Sequence, residues 1–144
     1  MSNVDLSDPA IADTWKALGE KGAVENWMLL NFVDKKKLQV LSKGKGGLSE
    51  LKEQLKDDEV MFAILRVGAE DRKEALTSIR QKFMMITWIG PNVGIMKKAK
   101  VGPQREELIN MLPGLQFFLG ASELEEVDMT HLAARLLAAG GTFL

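Results

Sequence analysis

Apolar residues in this chain come in short blocks whose spacing changes from helical to extended and back. Ser7-Asp8-Pro9 reads as a helix start, with Ser7 as N-cap and proline in the first turn. Ile11, Trp15 and Leu18 follow at helical spacing, and Gly19 or Gly22 ends the run. Residues 25–33 read as a strand. Asp34-Lys35 is a tight turn, and residues 36–42 return as its antiparallel partner. The chain is then expected to be flexible through Lys43-Gly-Lys-Gly-Gly47. Leu48, Leu51 and Leu55 mark a short second helix that Asp57-Asp58 ends.

The second half repeats the alternation. Val60-Met-Phe-Ala-Ile-Leu-Arg-Val67 is a third strand, and Lys82-Phe-Met-Met-Ile-Thr-Trp-Ile89 a fourth. A charged link, Gly68 to Gln81, joins them. Both strands are apolar almost throughout, as expected for strands covered on both faces. A helical stretch follows Gly90-Pro91. Pro103 lies inside it and removes one helical hydrogen bond. The stretch should therefore form two segments, 93–101 and 103–112, or one kinked helix. Leu115-Gln-Phe-Phe-Leu119 is a fifth strand. Ser122 and Glu125 form a capping box for a last helix. Leu124, Val127, Leu132, Leu136 and Leu137 give that helix its apolar face, and Gly140-Gly141 ends it.

The order is helix, two strands, helix, two strands, helix, strand, helix. It predicts an α/β fold of the mixed α+β kind, a five-stranded mixed sheet sandwiched by about four helices. The fifth strand follows a crossover helix and should run parallel to its neighbour.

Composition narrows the function. The chain has 144 residues and is 46 % hydrophobic, the size of one domain spanning 1–144. It has no cysteine, which excludes disulfides, thiol catalysis and thiolate metal sites. This fits a reducing compartment. No apolar run reaches the roughly 18 residues of a membrane span, and the polar, acidic start is not a signal peptide. A cytoplasmic protein is expected. The net charge of −1 gives no general affinity for nucleic acid.

Candidate chemistry is sparse. The single histidine, His131, falls mid-helix and reads as a surface residue. Glu123, Glu125, Glu126 and Asp128 suit the positive end of a helix dipole better than a metal. Neither Lys43–Gly47 nor Gly90-Pro-Asn-Val-Gly94 has the Gly-Lys-Ser/Thr ending of a nucleotide loop. Trp15, Trp27 and Trp88 sit among apolar residues and read as packing. Met84, Met85, Met96 and Met111 read as core or edge filler. No cofactor or catalytic group is expected.

Charge is distributed unevenly. The whole chain has 19 basic and 20 acidic residues, yet Arg80 to Arg105 holds Arg80, Lys82, Lys97, Lys98, Lys100 and Arg105 and no acid. A local positive surface of this kind steers docking to an acidic partner. Lysine early in a helix opposes the dipole. Such a local conflict is expected at a binding site. Val93 and Met96 are expected to be exposed beside the lysines. The pattern points to binding rather than catalysis. One reading is a protein partner. The other is an anionic phosphoinositide surface held by Lys97, Lys98 and Lys100.

The stretch Lys82-Phe-Met-Met-Ile-Thr-Trp-Ile-Gly90-Pro-Asn-Val-Gly94-Ile-Met-Lys-Lys-Ala-Lys100 closely resembles the coactosins, within the actin-depolymerising factor homology group. The element order over residues 5–140 is similar to that fold. Glu123–Glu126 and Ala139–Gly141 add support. The resemblance implies a non-enzymatic, cytoskeletal actin-binding domain, monomeric and without cofactor. It implies a preference for filaments over monomers and little severing.

By position, Lys82 matches a filament-contacting lysine of coactosins, and Arg80, Arg72 and Lys73 belong to the same region. Lys98, Lys100 and Arg105 match basic positions of the long helix that cofilin-like proteins insert into actin's cleft, and Lys97 adjoins them. Met96 replaces the first of a lysine pair, and Gly102-Pro103 interrupts the helix. Both departures imply weaker monomer binding. Arg135 alone gives the last helix a positive charge, which implies weak severing. Ile95, Met96 and Val101 are the expected buried anchors.

Overall fold

The computed structural model describes residues 3–73 and 76–138, with side chains given outside 68–81 and 136–138. The expected element order is found. Helix α1 (Pro9–Leu18) precedes strands β1 (Trp27–Phe32) and β2 (Leu38–Gly44). Helix α2 (Gly47–Lys52) leads to β3 (Val60–Lys73) and β4 (Leu76–Ile89). Helix α3 (Ile95–Met111), β5 (Phe117–Ala121) and α4 (Met129–Ala138) complete the chain.

The sheet order is β2-β1-β3-β4-β5. All pairs are antiparallel except β4 with β5, which is parallel across the α3 crossover. Side chains alternate across each strand, and both faces are apolar. Trp27, Leu29, Met84, Ile86 and Trp88 face Leu51 of α2 and Leu132 of α4. Met28, Leu30, Ile64 and Met85 face Ile11 and Leu18 of α1 and Val101 and Leu108 of α3. This double burial is why β1, β3 and β4 carry unbroken apolar runs. The two buried indoles keep a partner: Trp27 Nε1 donates to Glu50 Oε1 at 2.9 Å and Trp88 Nε1 to the Lys56 carbonyl at 2.7 Å.

Several expectations change. The N-cap of α1 is Asp8, whose carboxylate accepts from the Ala10 amide at 3.0 Å, with Pro9 in the first turn. Ser7 lies one residue too early; its amide is taken by Asp5 at 2.9 Å. The turn after β1 runs to Lys37, because Asp34 Oδ1 accepts from the amides of both Lys36 and Lys37 at 2.8 Å. β2 continues through Lys43 and Gly44, and α2 already begins at Gly47, whose amide donates to Asn26 Oδ1. The expected flexible linker is therefore largely strand and helix. α2 ends at Lys52, short of Leu55.

The charged link is the largest correction. Residues 68–73 and 76–81 extend β3 and β4 as paired strands, in register from Val60↔Ile89 to Lys73↔Leu76. β1 pairs with β3 only over Met61–Leu65, and β5 pairs with β4 only over Met84–Trp88. Beyond these partners the hairpin continues as a two-stranded ribbon about 20 Å long at the usual strand rise. It extends past the sheet's other strands, and its sequence is mostly polar and charged.

α3 is one helix through Pro103. Ala99 and Pro103 are both exposed, so the carbonyl that proline leaves unpaired is accessible to water. The interruption expected to weaken monomer binding is absent. β5 starts two residues later than expected. The capping box is Glu123 with Glu126, around a 3₁₀ turn at Leu124–Glu126, and not Ser122 with Glu125. α4 starts after it, leaving Leu124 exposed. Leu136 and Leu137 fall outside the described side chains, and Gly140-Gly141 outside the described residues.

Candidate functional site

The turn between β4 and α3 fixes where the basic helix begins. Gly90 sits against the backbone of Asp57, where a Cβ would collide with the Asp57 carbonyl. The Gly90 amide donates to the Glu59 carbonyl at 3.0 Å, and the Asn92 amide to the Asp57 carbonyl at 2.7 Å. Asn92 Nδ2 adds a bond to Asp57 Oδ2 at 3.1 Å. Val93 plugs the core at 5 % exposure, contrary to its expected place on the surface. Thus the turn is bolted to the start of β3, and α3 leaves it in a set direction.

The first six residues of α3, Ile95 to Lys100, are all exposed. Burial starts at Val101 and continues at Gln104, Leu108 and Leu112, a helical spacing. So α3 overhangs the core by more than one turn. That overhang carries Lys97, Lys98 and Lys100 beside Ile95 and Met96, which are 80 % and 73 % exposed. Val101, expected as an anchor, is 5 % exposed and belongs to the core. Ile95 and Met96 are the apolar groups that a partner can reach.

The N-terminal segment braces this helix. Gln104 Nε2 donates to the Asn3 carbonyl at 3.0 Å, and the Asn3 amide donates to Glu107 Oε2 at 2.9 Å. Two residues on, Asp5 forms a parallel bridge with Lys37. The sequence pattern does not signal this brace, since Asn3, Gln104 and Glu107 show no motif.

The other basic positions lie elsewhere. Lys82 is half-buried on β4 and lines a cleft with Trp15, Gly19, Phe83, Pro113, Gly114 and Gln116. That cleft is at the C-terminal end of α3, about 20 Å from Lys97 at 1.5 Å per residue. The backbone of Arg72, Lys73 and Arg80 lies in the ribbon; their side chains are outside those described. Arg105 is drawn inward: its guanidinium lies 5.1 Å from the Phe118 ring and 2.9 Å from Glu106 Oε1. The basic stretch therefore divides into two groups and does not form one continuous face.

The remaining polar groups have structural roles. His131 is exposed, with Nδ1 2.7 Å from Asp128 Oδ1. The His131 amide, donating to the same oxygen at 2.8 Å, and then the ring contact hold the Asp128 carboxyl below its ordinary value. Glu126 Oε1 accepts from the amides of Ser122 and Glu123, both at 3.0 Å. Among the described residues, no helix is long and apolar enough to cross a membrane.

Comparison with known proteins settles which group of folds this is. Residues 3–137 match the family described as cofilin/tropomyosin-type actin-binding protein. The chain belongs to this family. A coactosin from Entamoeba histolytica is 30 % identical over 143 residues, covering 98 % of this chain and 93 % of that protein. The crystal structure of Entamoeba histolytica coactosin superposes with a TM-score of 0.80 at 27 % identity, covering 96 % of this chain and 98 % of that one. Mouse coactosin, an actin filament binding protein, shares the fold at TM-score 0.75 and 22 % identity, over 97 % of this chain and 94 % of that one. The cofilin-type family is one of non-enzymatic, cytoskeletal actin binders, so this is an actin-binding domain.

Proposed function

We propose that this domain binds along actin filaments in preference to monomers and modulates their dynamics without strong severing, as a cytoplasmic monomer. The observation that carries this is the overhanging start of α3. Three lysines and two large apolar side chains stand free of the core on a rigid, braced helix. The lysines would steer the domain to acidic actin, and Ile95 and Met96 would supply the desolvated anchors. Lys82 with the β3–β4 ribbon, which carries Arg72, Lys73 and Arg80, would make the filament-specific contact that the coactosin resemblance implies. Two separated contacts suit a partner with adjacent subunits. Arg105, held by Phe118 and Glu106, would shape the helix surface more than touch actin.

The test separates the two contacts. Lys97→Glu with Lys98→Glu should weaken both filament co-sedimentation and monomer binding, by roughly ten-fold. Lys82→Ala should weaken filament pelleting by a few-fold and leave monomer binding unchanged. Equal pelleting of wild type and both variants at every salt concentration would overturn the proposal. The same exposed lysines favour a second reading, an anionic phosphoinositide surface. It predicts binding to vesicles that contain the lipid, lost in the double variant and absent with neutral lipid.

A further inference from the structure

Three consecutive lysines at the tip of the β1–β2 hairpin have no part in the scheme above. Lys35, Lys36 and Lys37 are all exposed, with exposed Val33 beside them. Their backbone is held in place. Asp34 Oδ1 takes the amides of Lys36 and Lys37, the Val33 amide donates to the Lys37 carbonyl at 2.8 Å, and the Asp5 amide donates to the Lys36 carbonyl at 2.8 Å. The Leu38 amide returns to the Asp5 carbonyl at 3.1 Å.

Strand directions put this tip at the same end of the molecule as the overhang of α3. β1 ends at Phe32 next to the start of β3, and Val60 of β3 pairs with Ile89, from which the chain turns into α3. The N-terminal segment links this tip to α3 further along, at Gln104 and Glu107. Asn3 is bonded to α3, and Asp5 is bridged to Lys37, two residues or about 7 Å along an extended chain. Among the acids on this side, Asp5, Asp34 and Glu107 each already accept a hydrogen bond from a backbone amide, and Glu106 pairs with Arg105. Asp57, Asp58 and Glu59 are also at this end; Asp57 Oδ2 accepts from Asn92 Nδ2 at 3.1 Å and Glu59 Oε1 from Asn31 Nδ2 at 3.0 Å, so both of these carboxylates already have a partner.

We propose that Lys35, Lys36 and Lys37 form a second arm of the actin-docking end, reaching an acidic patch on the same actin subunit that the start of α3 engages. This rests on the actin-binding reading above and extends it to residues outside the basic stretch. The occupant is argued from charge. Six lysines at one end, on two rigid supports, complement an extended acidic protein surface better than a single pocket anion.

Full-length Lys35→Ala/Lys36→Ala/Lys37→Ala tests it. The turn's amide bonds to Asp34 survive this change, so the fold should be kept, as thermal unfolding will show. Filament affinity at low salt should fall roughly three- to ten-fold, with the difference shrinking as salt rises. Monomer affinity should fall by a similar factor, unlike the effect of Lys82→Ala. Replacing all three by arginine should keep affinity within about two-fold. Wild-type pelleting with an unaltered alanine variant would overturn this inference and leave the actin reading intact. Failure of wild type to pellet would overturn both. A variant that pellets normally but loses binding to phosphatidylserine vesicles would reassign the arm to membranes and overturn the inference.

Discussion

The two ends of α3 present positive charge in different ways. At the N-terminal end, lysines stand on an overhanging helix whose direction is set by a packed turn and by the Asn3 brace. At the C-terminal end, Lys82 is half-buried beside an aromatic cleft, where Trp15 meets Phe83 edge-on at 4.8 Å. The rest of that basic group is carried by a ribbon that leaves the sheet. A rigid wedge at one end and a projecting ribbon at the other suit two different contacts. On the proposed reading, neighbouring subunits of a filament would span the gap between them.

The largest effect should come from breaking the turn that aims the wedge. Gly90→Ala forces a methyl into the Asp57 carbonyl, and backbone cannot rotate away as a side chain can. Unfolding free energy should fall by about 3 kcal/mol. Gly102, in the same region but with open space where a Cβ would go, gives the contrast. Gly102→Ala should raise stability by about 0.5–1 kcal/mol through helix propensity alone. Urea titrations of both variants check this. If the two behave alike, α3 is not aimed by the Gly90 turn.

The next test sharpens the boundary between wedge and core. Val101→Ala should cost about 2 kcal/mol of stability, because the side chain is buried against the sheet layer. Its affinity for actin, measured on folded protein, should be unchanged. Ile95→Ser with Met96→Ser should do the reverse: little change in urea midpoint, and roughly ten-fold weaker binding. A binding loss in Val101→Ala without unfolding would move the contact surface into the helix middle.

These contrasts follow how legible each region was in the sequence. The sheet was legible because burial on both faces writes continuous apolar runs into β1, β3 and β4. The start of α3 was legible through Gly90-Pro91 and the lysines. The ribbon was not, because a two-stranded extension is held by backbone hydrogen bonds, and those leave no hydrophobic signature. Val93 and Val101 were misplaced for a related reason. Spacing shows which residues share a helix face, but not where along the helix the core begins. The division of the basic stretch was hidden for the same cause: neighbours in sequence are carried to opposite ends by a strand and a returning helix.

The smallest effect concerns the tip of the β1–β2 hairpin. The Lys36 amide, and then the Lys37 amide, hold the Asp34 carboxyl below its ordinary value of 3.8. The Ser7 hydroxyl, then its amide, do the same for Asp5. A carboxyl with a lowered folded-state pKa contributes stability above its unfolded value and loses it as pH falls through the folded value. Asp34→Ala should therefore lower the urea midpoint slightly at neutral pH. The difference from wild type should hold constant down to about pH 4 and close below it. The exposed site keeps the effect small. A constant gap at all acidic pH values would mean that Asp34 acts through its shape in the turn and not through its charge.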